Sequence, residues 1–401
     1  MIARDKIWTG TLNDTTAMGT GRGALVQLYD TTLRDGEQTV GLVLSPDEKL
    51  EIARLVDQLG ADRIEVGFPR VSDDDRRAIE MIVGADLRAE LWGFARAVPE
   101  DVDAILELGL RASVIEAPVS DLKLAALGVS REKMVERIQR AVAHAAEAGI
   151  QVAFFGVDGS RADLDFLAAV YRAAIEAGAG EIVVVDTLGI AAPEAVGYFV
   201  RTIKKAVADD VPVHFHGHDD FGLATAGAIA AVAAGASWIH GTVNGMGERA
   251  GNGSLPEIAL ALEALYGYRT NLRLEETVEV SHRIREICGY HLAPWSPLVG
   301  ENLFRRETGA VAAQFHVPSA VEPYSSSLVG ATRGIVLGKK SGAESIRVRA
   351  ADLGIPLPDE CHRDVLARVK ALAIAKRGLV TDEEFVEIAA PFVAETTGLR
   401  G

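Results

Sequence analysis

The chain is nearly without cysteine: Cys288 and Cys361 are the only two among 401 residues. Two isolated thiols exclude a disulfide framework and fit a reducing, cytoplasmic setting. Long hydrophobic runs are missing too. No stretch approaches the roughly 20 apolar residues that cross a bilayer. The polar, Gly- and Thr-rich segment from Met1 to Gly23 has no apolar core of signal-peptide length. Positive charge is in deficit, with 41 Lys and Arg against 57 Asp and Glu and a net charge of −16. A nucleic-acid binder carries a basic face, so that class is excluded. An anionic substrate would need a local cation or guanidinium to overcome the general field. A Gly-x-Gly-x-x-Gly turn after the first strand is also lacking, which speaks against a dinucleotide-binding sheet.

What is present is a chain rich in Ala, Val and Gly and 48% hydrophobic. It is long enough for a large domain and a smaller one. From Ala24, short apolar runs alternate with amphipathic stretches. The runs begin near residues 26, 63, 90, 112, 151, 181, 211 and 238. The helical stretches between them carry Ser, Pro or Asp in the first turn and are often followed by Gly. This alternation predicts βαβ units on a parallel sheet. Eight such units predict a closed α/β TIM (β/α)8 barrel. After about Tyr268 the rhythm gives way to a helical pattern, a loop-rich stretch with Pro294, Pro297, Pro318 and Pro323, and three further helical patterns. The expected organisation is a flexible N-terminal arm over 1–23, on which Ile7 and Trp8 are candidates to dock. A barrel over 24–268 follows, then a mainly helical accessory region over 269–401.

One stretch organises the rest: Val213-His214-Phe215-His216-Gly217-His218-Asp219-Asp220. Residues two apart on a strand share a face, so His216 and His218 present two imidazoles side by side while Gly217 keeps the other face small. On barrel closure the first, seventh and eighth strands are neighbours. Asp35 follows the first strand, the His pair ends the seventh and Asn252 follows the eighth. They meet at the C-terminal face, where barrel enzymes keep their chemistry. A carboxylate, two imidazoles and an amide oxygen make a mixed N/O divalent-metal site. His214 shares the face, either filling the barrel or supporting the metal-binding residues, and His240 reads as core or as a similar support. Glu65 faces the mouth either as a proton-transfer group or as a hydrogen-bonding strut. Glu248 and Arg249 are either a buried ion pair or functional, Asp219 and Asp220 can cap the next helix, and Lys339 and Lys340 contact either an anion or, the plainer reading, only solvent.

The runs Asp30-Thr31-Thr32-Leu33-Arg34-Asp35-Gly36-Glu37-Gln38, His216-Gly217-His218-Asp219-Asp220-Phe221-Gly222 and Asn244-Gly245-Met246-Gly247-Glu248-Arg249-Ala250-Gly251-Asn252 resemble the signature motifs of the homocitrate synthase / isopropylmalate synthase family. Ala117-Pro118-Val119-Ser120-Asp121-Leu122, Gly159-Ser160-Arg161-Ala162-Asp163 and Asp186-Thr187-Leu188-Gly189 are most similar to the homocitrate synthase type. Val336-Leu337-Gly338-Lys339-Lys340-Ser341-Gly342 continues the likeness weakly. The resemblance implies a metal-dependent condensation of acetyl-CoA with a 2-oxo acid, 2-oxoglutarate or a related one, giving a 2-hydroxy di- or tricarboxylate and CoA. Asp35, His216, His218 and Asn252 would hold the metal, for which Mg²⁺, Mn²⁺, Zn²⁺ and Fe²⁺ all suit. Arg34 would stabilise the developing alkoxide, while Gln38, Arg96 and Thr187 would contact substrate. Relatives are homodimers, so the same assembly is expected.

The sequence departs from the family where protons move. The usual His-Glu-Ser-Gly-Ile-His run stands here as Arg306-Glu307-Thr308-Gly309-Ala310-Val311, and a family tyrosine is replaced within Ala320-Val321-Glu322-Pro323. The fifth strand's Glu-Asp is Val157-Asp158, and Asp219 stands where Asn is usual. His316, Glu307 or Tyr324 is then the candidate for proton transfer, with Glu307 and His316 taken forward. The alternatives are a metal-dependent carbon–carbon lyase or aldolase on the same barrel, or a relative that binds a metabolite without turning it over.

Overall fold

The structure is a computed structural model and describes Ile2 and residues 4–15, 23–208 and 210–398. The described residues fall into two compact units, one over Gly10–His291 and one over Leu292–Gly401 with Ala3–Thr9. Part of the arm expected over 1–23, including residues 16–22, lies outside the described residues. Ile7 pairs with Tyr324, and the Trp8 amide donates to the Pro323 carbonyl at 2.8 Å, both within the second unit.

The first unit is a closed barrel of eight parallel strands. They are β1 Gln27–Asp30, β2 Arg63–Glu65, β3 Glu90–Arg96, β4 Ala112–Pro118, β5 Gln151–Val157, β6 Glu181–Asp186, β7 Val213–Gly217 and β8 Trp238–Gly241. Each starts within two residues of its expected position. Closure is set by β1 against β8, with Tyr29 opposite His240 and Asp30 opposite Gly241. The outer helices begin and end as their sequences dictate. Ser45 and Glu48 form a capping box ahead of Pro46, and Gly60 ends that helix at φ +90°. Ser72, Ser130 and Asp163 accept the first-turn amides of later helices in the same way. A short helix over Asp121–Leu127, capped by Ser120 and closed by Gly128, follows β4 and was not evident from the periodicity.

Inward residues alternate along each strand and fill the lumen: Tyr29, Trp92, Phe94, Val114, Phe155, Val183 and Val185 form one buried cluster. Its foot is polar. Arg63 lies between the rings of Trp92 (4.2 Å to the centroid) and Trp238 (3.7 Å), with Glu181 and Glu90 at 2.6 Å. The unit extends past residue 268 to His291 because the helix Thr277–Cys288 turns Val280, Ser281 and Ile284 inward and packs on the helix Pro46–Leu59.

The second unit has its own core, with Ile335, Leu337, Ile346, Val365, Val369 and Phe385 buried together. Its main helices are Ala343–Asp352, His362–Lys376 and Asp382–Gly398, with a two-stranded sheet of Arg305–Arg306 and Gly334–Ile335. Among the described residues no helix is long and apolar enough to cross a membrane.

Candidate active site

The barrel delivers three donors to one point. His216 Nε2 lies 3.3 Å from His218 Nε2 and 3.3 Å from Asp35 Oδ2, and His218 Nε2 lies 3.6 Å from the same oxygen. All three side chains are buried. Gly217 between the two histidines is required, since a Cβ there would sit 2.8 Å from the Phe215 ring. His218 Nδ1 is 3.1 Å from the Gly251 carbonyl, so that nitrogen carries the proton and Nε2 keeps its lone pair. Asn252 donates its amide N–H to the Met246 carbonyl at 2.9 Å, and its Oδ1 is buried without a partner. Asp35 Oδ1 is also buried without a partner.

The loop after β8 (Asn244 to Asn252) is held by its glycines. Gly251 has φ +83°, and a Cβ there would fall on the Gly245 carbonyl oxygen. A Cβ on Gly247 would strike the Asn252 amide and approach Asp35 Oδ1 to 3.3 Å. The loop's backbone therefore closes over the donors as no other residue type allows.

Arg34 crosses the mouth of the barrel. Its Nε donates to Glu65 Oε2 at 2.6 Å and its Nη1 to Asp35 Oδ2 at 3.1 Å, while Nη2 is buried and unpaired. Its guanidinium lies over Phe94, 4.4 Å from the centroid, with Phe155 at 5.9 Å. Burial pushes the Asp35 carboxyl upward, but Arg34 and the two imidazoles outweigh it and hold the group far below the carboxylate range. Burial depresses His216, and it takes His218 down to about 4, helped by the neighbouring His216. At neutral pH the point is an anionic carboxylate facing two neutral imidazoles. Burial raises Glu65 against the pull of Arg34 and Thr31, and a 2.7 Å bond from the Thr31 hydroxyl completes its role as the strut that orients Arg34.

The other candidates are more spread out. Gln38 is exposed and lines a cavity of about 340 Å³ together with Arg34, Leu42, Phe68, Val71 and Phe94. The side chain of Arg96 is 53% exposed and gripped by Asp101 at 2.8 Å and 3.1 Å. The Thr187 hydroxyl accepts the Asp158 amide at 2.7 Å. Arg249 pairs mainly with Asp220, at 2.8 Å, rather than with Glu248, at 3.4 Å, and none of that group is buried. Asp219 accepts the Ala224 amide at the start of the next helix. His214 and His240 meet each other at 2.9 Å below the site, where His214 also lies 2.9 Å from Glu181. Glu307 and His316 belong to the second unit. There Glu307 accepts the Lys340 amide at 2.8 Å, and His316 is exposed. Lys340 itself is 73% exposed.

Sequence reading passed over Glu116. It lies near the C-terminal end of β4 on the inward face, two and four residues beyond Val114 and Ala112 of the lumen cluster. Burial raises its carboxyl, with Arg34 opposing. Its position on the strand was legible, but its neighbours were not.

Comparison with known proteins fits this geometry. The HMGL-like family profile matches residues 25–284, and the chain belongs to that family of barrels. A second profile, homocitrate synthase post-HMGL domain-like, matches residues 298–377. The chain is thus an acyl-transferring enzyme of the homocitrate synthase / isopropylmalate synthase kind. It is 43% identical to homocitrate synthase AksA of Methanopyrus kandleri over 90% of this chain and 91% of the relative. It is 41% identical to a putative (R)-citramalate synthase CimA of the same organism, over 86% and 69%. Against 2-isopropylmalate synthase of Methanocaldococcus jannaschii the figure is 38%, over 90% and 70%. Hydroxymethylglutaryl-CoA lyase from Pseudomonas aeruginosa shares the barrel fold, with a TM-score of 0.61 at 21% identity over 67% of this chain and 95% of that one.

Proposed function

We propose that this enzyme condenses acetyl-CoA with a 2-oxo acid at a divalent-metal site made by Asp35, His216, His218 and Asn252. The observation that carries the reading is the spacing of the donors. A divalent cation held at roughly 2.1 Å spreads neighbouring donors about 3.0–3.5 Å apart, and the three closest donor atoms here lie 3.3–3.6 Å from one another. Without a cation, two imidazole nitrogens would face each other and two buried oxygens, Asp35 Oδ1 and Asn252 Oδ1, would go unsatisfied. The residues fit the ion.

Such a cation supplies Lewis acidity toward the carbonyl and carboxylate oxygens of the oxo acid. The chain does the rest. Arg34, fixed by Glu65 and flattened on Phe94, offers its unpaired Nη2 to the oxygen on which charge develops. Thr187 accepts a backbone N–H through its hydroxyl oxygen, which leaves the hydroxyl proton to donate to the substrate carboxylate. The likeness to a homocitrate synthase across both units makes 2-oxoglutarate the first oxo acid in line, and a homodimer of twice the 42.6 kDa chain mass the expected assembly in the cytoplasm.

The test is free thiol release from acetyl-CoA by metal-loaded protein across a panel of 2-oxo acids. Thiol above background with at least one acid supports condensation. No thiol with any acid, together with cleavage of a 2-hydroxy acid or its thioester, would establish the lyase reading instead.

A further inference from the structure

The condensation proposed above needs a base for the acetyl methyl proton, and the family's strand-five carboxylate is replaced by Val157. The carboxylates around the mouth of this barrel sort themselves by what they already hold. Asp35 faces the imidazoles and Arg34. Glu65 accepts from Arg34 and Thr31. Asp158 is buried with both oxygens taken by Arg161 at 2.8 Å and a further bond from Ser120. Asp186 accepts from Ser160 at 2.7 Å and from the Ile190 and Ala191 amides. Glu116 stands apart: among the described residues no hydrogen bond or ion pair reaches its carboxylate.

Its place in the register is specific. Glu116 pairs with Arg96 on one side and with Phe155 on the other, and Pro118 opposes Val157. It therefore sits one inward rung below the strand-five position that Val157 occupies, on the adjacent strand. The rings of Phe94 and Phe155 belong to the two strands that flank it, and Arg34 lies over both rings. His216 packs edge-on against the same Phe155 at 5.1 Å. A partly exposed carboxylate without a hydrogen-bond partner thus stands on the inward face of β4, within electrostatic reach of the Arg34 guanidinium that itself pairs with Asp35.

We propose that Glu116 is the catalytic base of the condensation, in place of the missing strand-five glutamate. This rests on the proposed function. A Glu116 carboxylate oxygen takes a proton from the acetyl methyl group. The C–H pair becomes the enolate double bond, and the thioester carbonyl pair moves to its oxygen. The enolate oxygen pair then re-forms the thioester carbonyl as the double-bond pair makes the bond to the oxo carbon, whose own π pair moves to its oxygen as the alkoxide that Arg34 faces. The alkoxide takes up a proton as Glu116 gives one back to solvent, and water adds to the thioester carbonyl and expels CoA as the thiol, leaving a carboxylate.

The experiment compares wild type with Glu116→Gln and Glu116→Asp. It measures thiol release, exchange of acetyl-CoA methyl hydrogens with deuterium oxide, the isotope effect with trideuteroacetyl-CoA, and metal affinity by calorimetry. Glu116→Gln should lower kcat by roughly 10²–10⁴-fold and abolish methyl exchange, with metal affinity and melting temperature unchanged. Glu116→Asp should retain intermediate turnover with a larger isotope effect, because a retracted base makes proton removal more rate-limiting. Turnover of Glu116→Gln within about threefold of wild type overturns the assignment, as does a fall in kcat accompanied by lost metal binding or an unchanged isotope effect. Should Glu116→Gln not fold, the isotope effect of Glu116→Asp decides. Absence of thiol release by the wild type defeats the condensation reading itself, and this assignment with it.

Discussion

Arg34 performs two tasks that a lysine at the same place cannot combine. Its planar head lies on Phe94 while two edges reach Glu65 and Asp35. A lysine keeps the charge but loses the fork and the stacking. Arg34→Lys should therefore lower kcat by roughly 10²–10³-fold, with metal affinity within about threefold of wild type by calorimetry; equal loss of both would show that Arg34 serves only to hold Asp35. At this scale the sequence was legible where function repeats in spacing. The His-x-His pair and the Asp35 motif announce a donor set, and the structure places those three residues together. Glu116 was not legible, because one carboxylate in Ala112-Ser113-Val114-Ile115-Glu116 reads as ordinary strand alternation. What distinguishes it is the absence of a partner, and partners come from strands about 20–40 residues away.

Among the elements, the loop after β8 has the least room for change. Gly251 presents its carbonyl to both His218 Nδ1 and the Asp219 amide. Alanine there costs about 1–2 kcal/mol from the left-handed backbone alone, and its Cβ falls on the Gly245 carbonyl. Gly251→Ala should weaken metal binding at least about tenfold through the lost His218 support, with a fall of only a few degrees in melting temperature. Unchanged calorimetric affinity would show that the loop does not set the donors. The strands and outer helices were readable because apolar runs, caps and glycines recur at a steady interval. The two-residue strands Arg305–Arg306 and Gly334–Ile335 were not, since two residues carry no period.

For the molecule as a whole, a net charge of −16 favours a bound cation and makes a site without one more costly. A ligand that binds only the folded state at a hundred times its Kd stabilises it by about 2.7 kcal/mol, or about 5–10 °C for a domain of this size. Treatment with a chelator should lower the first unfolding transition by that order, and re-addition of Mg²⁺, Mn²⁺ or Zn²⁺ should restore it. A calorimetric trace indifferent to both would rule out a resident ion. One last feature bears on traffic. Because Arg63 plugs the base between two indoles and the side chains above it fill the lumen, the barrel axis offers reactants no second door. A molecule seated beneath another should then arrive first and depart last, an order that product-inhibition kinetics would read and that random addition would refute.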